Sequence, residues 1–120
     1  MTPVIVVGAG PSGLASAIVL ARAGRPVIVR ERQRTVGARF HGDFQGLENW
    51  SADSDVLDEI GNLGVSFAAA LHPVYRGKAY DAAGRRYDIE DKKPLFYLLR
   101  RGPGDGTLDE ALLNAAREAG

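Results

Sequence analysis

The chain has 120 residues, enough for one domain or a piece of one. Hydrophobic residues make up 45% and charged residues 25%, and Lys+Arg balances Asp+Glu at 15 each, so there is no basic excess for a nucleic-acid surface. Cysteine is absent, which excludes disulfides, thiolate metal sites and a redox-active cysteine pair. In chain order, Val4 to Val7 come first, a short β-branched run of the kind that forms a strand buried on both faces of a parallel sheet. A helical stretch follows from Pro11 to about Ala23, with Gly24 as its stop. Val27 to Val29 form a second apolar strand that ends at Glu31. The expected fold is α/β and Rossmann-like, with Val4 to Val7 central and Val27 to Val29 parallel beside it through a right-handed crossover.

Between strand and helix stand Gly8, Gly10 and Gly13, in G-x-G-x-x-G spacing. Gly8 allows the tight turn out of the strand, Gly10 lets a pyrophosphate approach the backbone, and Gly13 lets the helix pack close. Pro11 suits the first helical position, where its missing N–H is no loss. The helix N-terminus then offers free N–H groups and partial positive charge to a diphosphate. Glu31 lies about 20 residues beyond the turn, where an acid accepts hydrogen bonds from a ribose diol. A glycine-rich turn in an ordinary α/β fold does not explain why the strand, helix, second strand and acid occur together. The pattern therefore predicts dinucleotide binding.

After Glu31 runs a glycine-rich, basic and aromatic stretch, R-Q-R-T-V-G-A-R-F-H-G-D-F-Q-G, which reads as a long loop. Arg32, Arg34 and Arg39 can reach cofactor oxygens from it; the plain alternative is a solvated basic loop. His41 is a possible catalytic group, although a single loop histidine is more often exposed or structural. Ser51 to Asp55 form a capping cluster before a short helix with Val56, Leu57 and Ile60 on one face, closing near Gly64. Val65 to Phe67 read as a strand. Val74 to Tyr80 and Arg86 to Ile89 read as a hairpin around the four-residue loop Asp81 to Gly84. Leu95 to Leu99 form an apolar strand ending in Arg100-Arg101, and Gly102 to Gly106 turn the chain. Thr107 to Glu110 form a capping box for a last helix with Leu108, Leu112, Ala115 and Ala119 on its buried face.

V-V-G-A-G-P-S-G-L-A-S-A-I-V-L-A-R-A-G-R-P-V-I-V-R-E-R, ending at Arg32, resembles the amino-terminal fingerprint of flavoproteins of the p-hydroxybenzoate hydroxylase type. F-H-G-D-F-Q-G-L-E-N-W-S and L-F-Y-L-L-R-R-G-P-G-D-G-T-L-D resemble the geranylgeranyl reductase branch. The resemblance implies that Glu31 holds the FAD adenosine ribose and that an arginine before the last helix, Arg100 or Arg101, contacts the cofactor. The candidate cofactor-binding set is Gly8, Gly10, Pro11, Ser12, Gly13, Glu31, Arg32, Arg39 and Arg101, with Arg100 as the open alternative; no metal ligands and no catalytic residue are assigned. Family members are several times longer and carry a later G-D type motif for the flavin ribityl and phosphate. Residues 1–120 are thus expected to be the amino-terminal part of a discontinuous FAD/NAD(P)-binding domain, with residues 72–98 beginning a β excursion into the substrate domain.

The leading functional expectation is the FAD-binding part of a flavin-dependent oxidoreductase that takes a hydride from NAD(P)H and reduces a small-molecule substrate such as an isoprenoid double bond. One alternative is the NAD(P)-binding half of a dehydrogenase, for which Glu31 would repel a 2′-phosphate while Arg30 and Arg32 offset it. Another is an ADP-binding fragment with no activity of its own. The loop with Gly37 and Arg39, the hairpin and Arg100-Arg101 suit the flavoprotein plan better than a plain doubly wound one. No apolar run approaches the roughly 18 residues of a membrane span, and no signal-peptide pattern precedes the first strand, so the expected compartment is the cytoplasm. An unpaired sheet edge is expected to favour self-association.

Overall fold

The computed structural model describes residues 1–66 and 71–120. β1 (Val4–Val7) and β2 (Val27–Arg30) lie parallel, with Val4 opposite Val27 and Val7 opposite Arg30, and α1 (Pro11–Arg22) connects them. Gly10 is the N-cap of α1 and Pro11 its first residue. At the other end Gly24 adopts φ +73°, and the Arg25 N–H reaches back to the Leu20 carbonyl at 3.0 Å. That left-handed stop is the one glycine supplies at low cost.

Two expectations for this sheet need correction. Among the described residues it holds β1 and β2 alone, so β1 is not central and each strand has a free edge. Nor are both faces buried. Alternation puts Val4, Val6, Val27 and Val29 on a half-buried face and leaves Ile5 54% and Val7 85% exposed on the other. The physical reason is that a single helical layer covers one face, and no described element packs on the opposite one.

The core lies between two helices. Leu14 and Ile18 of α1 meet Leu108, Leu112 and Ala115 of α3 (Leu108–Ala119), with Val36 and Val65 added from loops and Leu99 from β7 (Phe96–Arg100). Full burial of one such leucine or isoleucine contributes about 1.5–3 kcal/mol. Ala119, expected on this buried face, is only partly buried but does pack against the cluster. The Thr107 Oγ1 caps α3 by accepting from the Glu110 N–H at 3.2 Å. Among the described residues Glu110 does not reach back to the Thr107 N–H, so half of the capping box forms, and Thr107 Oγ1 donates to the Gly104 carbonyl instead.

A second sheet has the order β3 (Phe44–Glu48), β7, β4 (His72–Val74), all antiparallel. β3 begins within the stretch read as loop and runs two residues past it. It shows no alternation of buried and exposed residues, and Gly46 at its centre sits against the Phe96 ring, where a Cβ would come within 3.1 Å. Pairing with β7, not hydrophobic pattern, makes it a strand. The single strand expected over Val74 to Tyr80 divides at Tyr75: β4 pairs with β7, whereas β5 (Arg76–Tyr80) pairs with β6 (Arg86–Glu90). The hairpin loop runs from Asp81 to Arg85, one residue longer than expected, with the Asp81 carboxylate accepting from the Ala83 and Arg85 N–H groups at 2.9 Å. One hairpin face opposes Arg76 to Glu90 and Lys78 to Asp88; the other carries Gly77, Ala79, Tyr87 and Ile89. Every residue of β5 and β6 is exposed. The strand expected at Val65 to Phe67 is irregular at Val65 and Ser66, and Phe67 lies outside the described residues. No described helix is long and apolar enough to cross a membrane.

α2 (Val56–Asn62) is fixed by a polar knot. Asp55 caps it, accepting from the Leu57 N–H at 2.9 Å, and accepts the Tyr97 hydroxyl at 2.7 Å. The buried Asn49 side chain donates to the Pro94 carbonyl and accepts from the Val56 N–H, both at 2.8 Å. The side chains of Asn49, Asp55 and Tyr97 thus join the end of β3, α2 and β7.

Two outcomes follow from this packing. A Cβ on Gly13 would stand 2.1 Å from the Gly8 carbonyl oxygen, a backbone atom. Gly13→Ala is expected to cost at least about 1–3 kcal/mol, read from the urea midpoint; an unmoved midpoint would refute the tight turn. Burial and the Asp55 carboxylate push the Tyr97 phenol up to about 12. A raised folded pKa gives stability that is complete below the unfolded value of 10.0 and lost as pH rises towards 12. The melting temperature of the parent chain should therefore fall more steeply across that window than that of Tyr97→Phe; parallel curves would contradict the contact.

Candidate functional site

The turn between β1 and α1 is set by backbone sterics. Gly8 takes φ +96°, and Gly13 lies on its carbonyl, with Val6 beneath. This close approach brings the uncapped first turn of α1 to the end of the parallel sheet. Gly10 has no side chain to cap the helix, and the first turn carries no acid. Its free N–H groups and positive dipole end are left uncompensated by protein. A Cβ on Gly10 would meet no atom within 4 Å, so the space before it is open.

Glu31 leaves the end of β2 and turns back to this loop. One carboxylate oxygen accepts from the Ala9 N–H and the other from the Gln33 N–H, each at 2.8 Å. The Ala9 N–H first, then that of Gln33, hold the Glu31 carboxyl below the usual carboxylate range. The group is thus anionic and oriented, and each oxygen retains acceptor capacity.

Two hollows meet at Glu31. One, of about 470 Å³, is lined by Gly10, Pro11, Arg32, Arg39, Phe40 and Arg101 together with Glu31. The other, of about 640 Å³ and mostly apolar, is lined by Leu14, Val29, Val36, Leu113 and Ala116, with Arg34 at its wall. Ala9, Glu31, Gln33 and Thr35 border both.

The wall opposite in sequence comes from the β7–α3 junction. Arg101 is 7% exposed and Asp109 1%. The guanidinium grips the carboxylate with two bonds, Nε to Oδ2 and Nη2 to Oδ1, each 2.9 Å. Its Nη1 donates to the Gln45 side chain, and its face covers the Phe40 ring at 4.2 Å. The Gly102 N–H adds a third bond to Asp109 at 3.0 Å. Burial works to raise the Asp109 pKa, but the Arg101 hydrogen bonds and the Gly102 N–H outweigh it and hold the carboxyl low. A Cβ on Gly37 would come within 2.8 Å of Asp109 and Gly102, so the loop after β2 is seated directly on this pair.

Of the residues singled out from sequence, Gly10, Pro11, Glu31, Arg32, Arg39 and Arg101 line one hollow. Gly8 and Gly13 build the turn without lining it. Ser12 is exposed and lines neither hollow; its carbonyl accepts from the Ser16 hydroxyl at 2.8 Å. Arg100 is exposed, with its guanidinium near Gly42, so of the arginine pair only Arg101 reaches the hollow. His41 is exposed and borders neither hollow. Sequence reading missed Phe40, Gln45 and Asp109. Only Asp109 left a signal: it is an acid next to the apolar face of an amphipathic helix. No group of acidic, histidine or cysteine side chains among the described residues forms a metal site.

The chain is similar to L-amino-acid oxidase BmooLAAO-I of Bothrops moojeni, with 29% identity over 114 residues, covering 92% of this chain and 21% of that protein. Against the L-amino-acid oxidase of Echis ocellatus it is 46% identical over 50 residues, covering 42% of this chain and 10% of that protein. Among solved structures it is similar to a geranylgeranyl bacteriochlorophyll reductase-like protein from Thermoplasma acidophilum, with TM-score 0.67 and 19% identity, covering 97% of this chain and 28% of that one. It is also similar to 2-methyl-3-hydroxypyridine-5-carboxylic acid oxygenase, with TM-score 0.59 and 23% identity, covering 98% and 30%. The chain therefore spans a minor part of the length of each relative, and the structural likenesses speak to the fold, a mixed helix and strand arrangement found in flavoproteins. The model of the FAD binding domain family matches residues 1–99, and the chain belongs to that family.

Proposed function

We propose that this chain supplies the ADP-binding half of an FAD site in a flavin-dependent oxidoreductase of the geranylgeranyl reductase-like type. In this reading the fold is the first part of a Rossmann-like FAD/NAD(P)-binding domain, and residues 72–98 begin the excursion towards the substrate domain. The parent enzyme takes its hydride from NAD(P)H and reduces a small-molecule or isoprenoid substrate. The observation that carries the proposal is the convergence on one hollow of an uncapped helix N-terminus, an open Gly10, an oriented carboxylate and three arginines. The match of residues 1–99 to an FAD binding domain does not favour the NAD(P)-half reading.

The residues fit the group. The α1 N-terminus and Gly10 admit the diphosphate. Glu31, at the divide between the hollows, accepts the ribose hydroxyls, and the apolar hollow beyond Leu14 and Val29 receives the adenine. Arg32, Arg39 and Arg101 supply donors to phosphate oxygens; Ser12 is the weakest member of the set because it lines neither hollow. Bound FAD supplies the hydride chemistry, and the chain's own residues bind and orient it. No catalytic acid, base or nucleophile is assigned, and His41 is set aside by its position. The free edges of β1 and β2 remain the proposed route of self-association.

Calorimetry of the 120-residue chain with ADP and with FAD checks this reading. Both should bind with similar, weak affinity, and the preparation should be colourless and oxidise no NAD(P)H. Gly10→Val should abolish both interactions while circular dichroism stays unchanged. Glu31→Gln should weaken both by a similar factor, roughly tenfold, because one charge-assisted acceptor is lost. A loss confined to FAD would contradict the ribose role of Glu31, and undiminished binding by Gly10→Val would overturn the proposal.

A further inference from the structure

The Arg101–Asp109 fork has a charge balance that matters for the diphosphate. Both side chains are buried, and they are joined by two parallel bonds, so the arginine reaches the hollow with its charge already matched by a carboxylate. Its guanidinium has five N–H groups, of which Asp109 takes two and Gln45 one. The N–H groups left over belong to a residue that lines the same hollow as Gly10 and Pro11. Arg39 borders that hollow too, but it is exposed, and its guanidinium rests on the Phe40 ring at 4.7 Å with no acid partner among the described residues.

We propose that Asp109 is a positioning residue: it fixes the plane of the Arg101 guanidinium so that the remaining N–H groups meet the diphosphate, while Arg39 provides the uncompensated positive charge. This inference rests on the ADP-binding reading and deepens it by dividing two tasks between two arginines. Arg101 contributes direction, because a planar guanidinium clamped on one edge and stacked on Phe40 has little freedom to turn. Arg39 contributes attraction that falls as salt is added, as expected of an exposed charge. A lysine cannot replace Arg101, since one ammonium cannot hold the Asp109 fork and the Gln45 carbonyl while still presenting an aligned donor.

The test compares ADP with adenosine, which share base and ribose and differ in the diphosphate. Calorimetry on the 120-residue chain gives the ratio of their affinities at low and high salt. Arg101→Lys keeps the charge and should lower the ADP advantage by roughly tenfold, with adenosine binding unchanged. Arg39→Gln should lower that advantage mostly at low salt and flatten its salt dependence. Because Asp109→Asn leaves a buried arginine unpaired and so confounds binding with loss of the fold, the deciding variant is the double change Arg101→Met with Asp109→Leu, which removes both charges together. It should fold, bind adenosine as before and lose the same ADP advantage as Arg101→Lys. A folded double variant with full preference for ADP overturns the proposal. So does one that fails to fold, because the pair is then a structural strut. If the parent chain binds neither ligand, the ADP reading itself fails.

Discussion

The site depends on one steric constraint, the contact of Gly13 with the carbonyl of Gly8. No side chain fits in that gap, and the gap sets how far α1 stands from the end of β1. With the helix seated there, the Ala9 N–H points at Glu31, and the carboxylate leaving β2 is drawn back over the turn. Opening the turn by even one methyl group would separate the helix end from the acid. The four-residue strands are too short to restore that geometry by their own pairing.

A second anchor completes the enclosure. The loop after β2 has little regular structure, and its placement comes from packing on distant residues. Gly37 lies on Asp109 and Gly102, Phe40 lies under Arg101, and Val36 enters the core. Breaking a buried ion pair by removing one partner is far more costly than replacing both. The Arg101–Asp109 fork therefore holds the loop firmly, although it adds little net stability over an apolar pair of the same volume.

The first third of the chain was legible in sequence because its signals are local. Apolar strand, glycine turn, helix stop and terminal acid each follow from residues a few positions apart, and β1, α1 and β2 form over those residues with the two strands parallel, although β1 is not central. The chain beyond Arg32 was harder to read. β3 has an exposed Phe44, a central glycine and no alternation, so only its pairing with β7 identifies it. The break at Tyr75 is a change of partner within one β-prone run, which periodicity cannot register. Burial on both faces was expected of β1 from its composition, yet Ile5 and Val7 are exposed because covering a face is a property of neighbours, not of the strand. The pairing of Asp109 with Arg101 was hidden because an acid in the first turn of a helix already has a sufficient local explanation in the helix dipole.

The hairpin of β5 and β6 leads to a different property. None of its strand residues is buried, and it meets the rest of the molecule where the Asp91 N–H bonds the Tyr75 carbonyl and the Leu95 N–H the Val74 carbonyl. Its hydrogen bonds thus have no core to open with them, whereas those of α1 surround Leu14 and Ile18. Amide protons in the hairpin accordingly exchange with solvent through local opening of a ribbon, and those of α1 only when the helical core comes apart. One chain therefore carries two levels of protection, with the body of α1 around Leu14 and Ile18 in the slow one.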